Sequence, residues 1–67
     1  MNYFKVPLKP GSQKYHFVRI QKNNTVDIAL YSGACKTEHI SYFIGFINNT
    51  GCLPSNAQEF HEKFSNI

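Results

Sequence analysis

Cysteine and histidine are the side chains of this sequence with the widest chemical range, because they ligate metal ions and serve as nucleophile and base. Two pairs have a spacing worth testing: three residues separate Cys35 from His39, and eight separate Cys52 from His61. Together with His16 they are enough ligands for a tetrahedral zinc ion. Neither spacing is the short one of a zinc knuckle, so we expect no metal ion and no cofactor.

The acidic residues offer little catalytic chemistry. Asp27 is the only acidic residue before Glu38, and Arg19 is a candidate partner for it. Glu59 and Glu62 are spaced as on the solvent surface of a helix. The sequence contains no phosphate-binding loop, no nucleophile elbow and no H-E-x-x-H pattern of a metalloprotease. We therefore expect a protein that is not an enzyme.

The aromatic and basic side chains are candidates for binding a partner rather than for catalysis. Tyrosine, phenylalanine and arginine suit the centres of protein interfaces, and aromatic rings also stack on the bases of single-stranded nucleic acids. The candidate partner-binding or oligomer face consists of Tyr15, Phe17, Arg19, Tyr31 and Phe43. The candidate basic surface consists of Lys14, Lys22 and Lys36.

The charge distribution ranks the partners that such a surface would suit. The net charge is +3, and residues 1–37 hold every basic residue except Lys63 but only one acidic residue. A basic surface fits a polyanion or an acidic protein. The lysines are scattered, however, and there is a single arginine, whereas nucleic-acid-binding domains concentrate these residues. We therefore favour a protein partner over a nucleic acid.

The length of the chain sets the number of domains and favours self-association. A chain of 67 residues forms one domain, residues 1–67, with a small core. The N-terminal segment is not typical of a signal peptide, and no apolar run reaches the ~20 residues of a membrane span. We expect a cytoplasmic protein without membrane contact, whose thiols Cys35 and Cys52 stay reduced. A homo-oligomer is then the expected source of additional stability.

A β-hairpin positions most of the candidate face. Two runs of alternating apolar and polar residues lie on either side of Lys22–Asn24. A three-residue turn places all their aliphatic side chains on one face, whereas a two-residue turn divides them. The three-residue turn pairs Arg19 with Asp27 and needs a left-handed residue, for which we expect Asn24. The same register predicts two further pairs, Tyr15 with Tyr31 and Phe17 with Ala29.

Two more strands are predicted. Tyr3–Leu8 is typical of an edge strand, since Pro7 cannot donate a hydrogen bond to a neighbouring strand. His39–Ile47 is apolar on both sides, which is typical of a central or doubly covered strand. The residues of this last strand that we expect to face the core are Ile40, Tyr42, Ile44 and Phe46.

The C-terminal segment predicts a helix. Ser55 or Asn56 can cap its start, and an apolar stripe follows at helical spacing. The stripe contains Ala57, Phe60 and Phe64 and extends towards Ile67. The predicted fold class is therefore α+β, a small antiparallel three- to four-stranded sheet with one C-terminal α-helix packed on one face, the aliphatic one.

This arrangement leaves the aromatic face of the sheet without a helix. Either the N-terminal strand or another copy of the chain covers that face, or it is free for a ligand. We expect a small non-enzymatic homo-oligomer that inhibits or regulates a larger protein by occupying its surface, a profile typical of small inhibitors encoded by phages. Two alternatives are single-stranded nucleic-acid binding on the aromatic face, and sequestration of an anionic small ligand such as a nucleotide between subunits.

Overall fold

Five strands and two helices make up the part of the chain that the structure describes. This is a computed structural model, and it describes residues 2–64 except for the side chain of Phe64. In chain order the elements are β1 (Tyr3–Pro7), β2 (Tyr15–Ile20), β3 (Thr25–Ala29), β4 (Cys35–His39), α1 (Ile40–Thr50), β5 (Leu53–Pro54) and α2 (Ala57–Phe64). The strands pair antiparallel in the order β4-β3-β2-β1-β5. The predicted small α+β fold with an antiparallel sheet and a C-terminal helix is confirmed, with five strands instead of three or four.

The β2–β3 hairpin has the predicted register. Arg19 pairs with Asp27 on one face of the hairpin. The aliphatic pairs on either side of this pair lie together on the opposite face. Asn24 has a left-handed φ of 60°, and Asn23 has a φ of 65°. Asparagine tolerates this conformation better than most residues with a side chain, which is why the turn forms at this position. The turn therefore places the aliphatic side chains together, as predicted.

The segment predicted to be a central strand is helix α1, so the prediction of a strand at His39–Ile47 was wrong. The His39 ring caps the helix, because its Nδ1 accepts the N–H of Ser41 at 3.1 Å. Gly51, with a φ of 76°, ends the helix and donates its N–H to the Ile47 carbonyl at 3.0 Å. Isoleucine, phenylalanine and tyrosine are typical of strands, which is why the composition pointed to one. A dense apolar run of this length fits either structure.

Strand β1 lies inside the sheet, which corrects its predicted edge position. It pairs with β2, and β5 pairs with its residues Phe4 and Lys5 on the other side. The described pairing with β5 does not reach Pro7, so the proline lies where a missing N–H is tolerated. Val6 is fully buried, whereas Leu8 lies beyond the strand and is exposed.

The sheet separates two apolar clusters, one under each helix. The cluster under α1 contains Val6, Val18, Val26, Ile28 and Phe43. The cluster under α2 contains Phe17, Ala29 and Phe60. The prediction that the C-terminal helix packs on the aliphatic face was therefore wrong, because α1 covers that face and α2 packs on the other. Phe60 lies in the core as predicted, and the side chain of Phe64 and all of Ile67 lie outside the described part of the chain.

Candidate functional site

The five residues of the predicted binding face do not share one surface. Tyr15, Phe17 and Arg19 lie on the sheet face that α2 covers. Phe43 lies on the opposite side of the sheet, in the cluster under α1, because the segment that carries it is a helix. Tyr31 follows the end of β3 and is exposed. The predicted face is therefore divided between the two sides of the sheet.

Helix α2 covers the centre of the predicted aromatic face. Phe60 packs against Phe17 and Ala29, and all three are buried. The Arg19 guanidinium carbon lies 4.9 Å from the centre of the Phe60 ring, where a cation is attracted to the electron-rich ring face. The sheet surface on which bases or a partner would stack is thus packed against the chain's own helix.

A buried carboxylate organises the polar part of the same face. Asp27 is 6 % exposed, and its oxygens accept four hydrogen bonds from three side chains. The donors are Arg19 Nη2 at 2.8 Å and Nε at 3.2 Å, Thr37 Oγ1 at 2.7 Å and the Gln21 amide. Burial alone would raise the pKa of Asp27, but these hydrogen bonds outweigh it and lower the pKa. A carboxylate held as an anion by several donors is a structural anchor rather than a general base.

Among the described residues, three lysines lie over tyrosine rings, and one of these rings, that of Tyr15, also packs against the cluster under α2. Distances from the lysine Nζ to the tyrosine ring centre are 4.8 Å for Lys5 and Tyr15, 5.6 Å for Lys14 and Tyr31, and 4.1 Å for Lys36 and Tyr42. Lys36 also donates a hydrogen bond to the Tyr42 hydroxyl at 2.7 Å. Lys22 lies in the β2–β3 turn, at the far end of β2 from Lys14. The residues of the predicted basic surface are therefore dispersed, and two of them lie against tyrosine rings.

His16 occupies the end of the hairpin at which Tyr15 was predicted to pair with Tyr31. The recorded pairing of β2 with β3 stops short of these tyrosines. Instead, the Tyr31 N–H donates to His16 Nδ1 at 3.0 Å, and the His16 ring stacks on Phe46 with 5.7 Å between ring centres. Burial and the nearby charge of Lys36 lower the pKa of His16. The ring is therefore neutral at about pH 7, as its role as an acceptor requires.

The outer surface of α1 is the candidate that the sequence prediction missed. None of the 11 residues of this helix is charged. Tyr42, Ile44 and Ile47 are 40, 48 and 39 % exposed, although the first two were predicted to face the core. A β-carbon at Gly45 would meet no heavy atom within 4 Å outside the helix backbone. We call the surface formed by Gly45 and the residues that flank it, Tyr42 and Ile44, the α1 outer surface.

This surface can be identified from the sequence if residues 40–50 are placed around a helix instead of along a strand. At 3.6 residues per turn, Ile40, Phe43 and Ile47 fall near one direction, and Phe43 is the buried residue among them. Ile44 then lies on one flank of the helix and Tyr42 on the other. The alternating count of a strand assigns Tyr42 and Ile44 to the same side, so the choice of period decided which residues were predicted to be exposed.

The described residues do not form a metal site. Within residues 2–64, no three His, Cys, Asp or Glu side chains are grouped so that they could hold a metal ion. An open pocket of about 450 Å³ lies between the β1–β2 connection and the segment after α1, and the described residues that line it are uncharged. Neither of the described helices is long and apolar enough to cross a membrane.

Comparisons with protein-family models, curated proteins and solved structures find no significant match to this chain. The roles of its residues are therefore inferred from their contacts, exposure and charge.

Proposed function

We propose that this protein is a small non-enzymatic binding protein that acts on a larger protein partner through the α1 outer surface. The observation that supports the proposal is the uncharged exposed side of α1, on which Ile44 and Tyr42 flank Gly45. Large apolar side chains exposed on the same short helix are typical of an interaction site, and here Ser41, Asn48 and Asn49 on the same helix add exposed polar groups without charge. The centres of protein interfaces are depleted of charge and often contain tyrosine, and this surface has Tyr42 and no charged residue of the helix.

Gly45 supports a partner that approaches the helix closely. A glycine inside a helix costs about 1 kcal/mol relative to alanine. No neighbouring element of the fold requires the glycine, because a β-carbon there would meet no heavy atom within 4 Å outside the helix backbone. A partner that packs directly on the helix backbone explains why a side chain is missing at this position.

The neighbouring charges indicate the chemistry of the partner. Lys36 contacts Tyr42 at one flank of the α1 outer surface, and the chain has a net charge of +3. A partner with an apolar centre and acidic residues around it is complementary to this arrangement. By covering such a surface, the protein inhibits or regulates whatever the larger partner does there.

Site-specific cross-linking in cells tests the proposal. A photo-reactive amino acid replaces Ile44 on the α1 outer surface and, as a matched control, Glu62 on the exposed side of α2. We expect one larger protein to cross-link through position 44 and not through position 62. Equal cross-linking from both positions, or none from position 44, would contradict the proposal.

Affinity measurements with that purified partner complete the test. We expect Gly45→Gln and Ile44→Asp each to weaken binding about tenfold or more, because each disrupts a packed interface centre. Lys9→Gln, in an exposed turn remote from α1 in the sequence, is the control and is expected to bind like the unmodified chain. Circular dichroism establishes that each variant is folded. Unchanged affinity of a folded Gly45→Gln variant would count against the proposed surface.

The lysine–tyrosine pairs favour one other function, the binding of single-stranded nucleic acid. A ring beside a cation can stack on a base while the cation contacts the phosphate. Such binding would weaken steeply as salt rises, because counterions are released on association. Fluorescence titration of a labelled oligonucleotide at several salt concentrations, with Lys14→Gln and Tyr31→Ala, tests this. Absence of binding at low salt removes this alternative.

A further inference from the structure

Strand β4 forms one edge of the sheet. Among the described residues only β3 pairs with it, and Thr37 and His39 on this strand are exposed. The outer backbone groups of an edge strand can pair with a strand from another chain. Charges on an edge strand usually oppose such pairing, but the two charges of β4, on Lys36 and Glu38, have opposite signs and can attract those of a second copy.

The β3–β4 ladder shows which backbone groups of β4 point outward. The Ile40 N–H donates to the Asn24 carbonyl at 2.8 Å, next to the end of β4. Hydrogen-bonded pairs recur at every second residue of an antiparallel ladder. Lys36 and Glu38 are therefore hydrogen-bonded to β3, and the N–H and C=O of Thr37 point away from it.

We propose that β4 pairs with β4 of a second copy of this chain, antiparallel, around a two-fold axis at Thr37. In this dimer the Thr37 N–H of each copy donates to the Thr37 carbonyl of the other. Lys36 of each copy then lies directly opposite Glu38 of the other. These are non-hydrogen-bonded positions, at which side chains of neighbouring strands approach most closely. The two sheets become one continuous antiparallel sheet.

The charges on β4 select this register over its neighbours. The two adjacent symmetric registers also join outward-pointing backbone groups. One places Lys36 opposite Lys36, and the other places Glu38 opposite Glu38, and like charges in these positions are destabilising. Only the register centred on Thr37 makes two pairs of opposite charge. The same two charges therefore oppose slipped pairing and favour one dimer.

Both charged groups are available for this contact. Their side chains are 33 and 41 % exposed, and Lys36 Nζ is 3.9 Å from Glu38 Oε2 within one copy. An ammonium group has three donors, so the hydrogen bond from Lys36 to Tyr42 leaves others for a carboxylate of the second copy.

The dimer goes beyond the proposed function and also bears on its geometry. Paired residues of antiparallel strands point to the same side of a sheet, so the two α1 helices lie on the same side of the joined sheet. The dimer thereby presents two α1 outer surfaces in one direction. A partner with two matching sites, or two copies of a partner, would be held with increased avidity.

Sedimentation velocity at several protein concentrations tests the dimer. We expect the unmodified chain to pass from monomer to dimer as its concentration rises. K36E and E38K should each raise the dissociation constant about tenfold or more, because each turns both charge pairs into like-charge pairs. K22E and E62K change the net charge equally at positions outside β4 and are the matched controls.

Mixing the two variants gives a result that general destabilisation cannot produce. K36E chains and E38K chains carry complementary charges on β4, so we expect a mixture to form a mixed dimer at concentrations where each variant alone is monomeric. The K36E/E38K double variant should dimerise like the unmodified chain. Failure of both combinations to recover dimerisation would overturn the proposal.

Two results on the unmodified chain also decide the question without a variant. The hydrogen exchange of the Thr37 amide should slow as protein concentration rises, because that amide is hydrogen-bonded only in the dimer. An exchange rate independent of concentration overturns the proposal. So does a chain that remains monomeric up to about 1 millimolar.

Discussion

Arg19 and Asp27 face each other across β2 and β3, with Arg19 Nη2 2.8 Å from Asp27 Oδ2. The same guanidinium lies over the ring of Phe60 in α2. One arginine thus connects the polar network of the sheet with the packing of the C-terminal helix. Any change to Asp27 is therefore expected to affect both the sheet and the position of α2.

Asp27→Asn is expected to lower the free energy of unfolding by about 2 kcal/mol. The amide has one acceptor oxygen in place of two, so at least one of the donors Arg19, Gln21 and Thr37 loses its buried partner. Urea denaturation measures the change. Glu62→Gln on the exposed side of α2 is the control, with an expected effect within about 0.5 kcal/mol. Equal stabilities of Asp27→Asn and the unmodified chain would show that the network is dispensable.

The contribution of Asp27 is expected to disappear in acid. Its pKa lies below the ordinary value of 3.8, so the native state binds this proton less readily than the unfolded chain. The stabilisation is complete above that ordinary value and is lost as the pH falls from there through the lowered pKa. The difference in stability between the unmodified chain and Asp27→Asn should therefore shrink below about pH 4. Urea denaturation at a series of pH values checks this, and a constant difference would be contrary to it.

His16 is expected to make the fold less stable in mild acid. Its pKa lies below the ordinary value of 6.5, so the unfolded chain takes up the proton first as the pH falls. The free energy of unfolding therefore decreases as the pH falls from about 6.5 to the lowered pKa of His16, and it levels off below that pKa. Protonation also removes the acceptor for the Tyr31 N–H. We expect His16→Gln to have a smaller loss of unfolding free energy than the unmodified chain between about pH 7 and pH 5. Parallel pH profiles of the two proteins would exclude this role.

Phe60→Ala is expected to lower the free energy of unfolding by about 3 to 4 kcal/mol, because a fully buried ring is lost from the cluster under α2. Phe60→Leu should cost about 1 kcal/mol and keep the fold intact.

Burial raises the pKa of Cys35 beside this cluster. Its reaction with a thiol reagent should therefore accelerate in both variants. Ile44→Ala, at an exposed residue of α1 on the other side of the sheet, is the control and should leave that rate unchanged.

Gly45→Ala is expected to stabilise the free protein by up to about 1 kcal/mol. Alanine favours the helix, and its β-carbon would meet no heavy atom within 4 Å outside the helix backbone. Thermal denaturation measures the change. Gly51→Ala is the opposite case, because Gly51 has a φ of 76°, and alanine there should destabilise. A destabilised Gly45→Ala variant would mean that the fold itself requires the glycine.

Local chemistry was sufficient to predict the β2–β3 hairpin. The aliphatic pattern, the two asparagines of the turn and the opposite charges of Arg19 and Asp27 all favour one register, and the structure has it. The two strands are joined by a three-residue turn, so the pattern of this one segment carries the information about their register. Tyr15, Phe17 and Arg19 were placed on the correct strand for the same reason, whereas Tyr31 lies beyond the end of β3.

The candidate site could not be predicted to the same extent. The binding face was assigned on the expectation that only one helix existed, which left one side of the sheet open. Because α1 is a helix, Phe43 joins the aliphatic cluster, and α2 with Phe60 covers Phe17 on the other side. An error in one element thus changed which face of every strand is exposed.

The sequence by itself determined the hairpin register, the Arg19–Asp27 pair and the C-terminal helix with Phe60 in the core. Only the tertiary structure decided that residues 40–50 form a helix, which side of the sheet each helix covers, and that Tyr42 and Ile44 are exposed. The physical reason is that a short apolar run can bury its side chains as a strand or as a helix at similar cost. Packing against the aliphatic face of the sheet favours the helix in this segment.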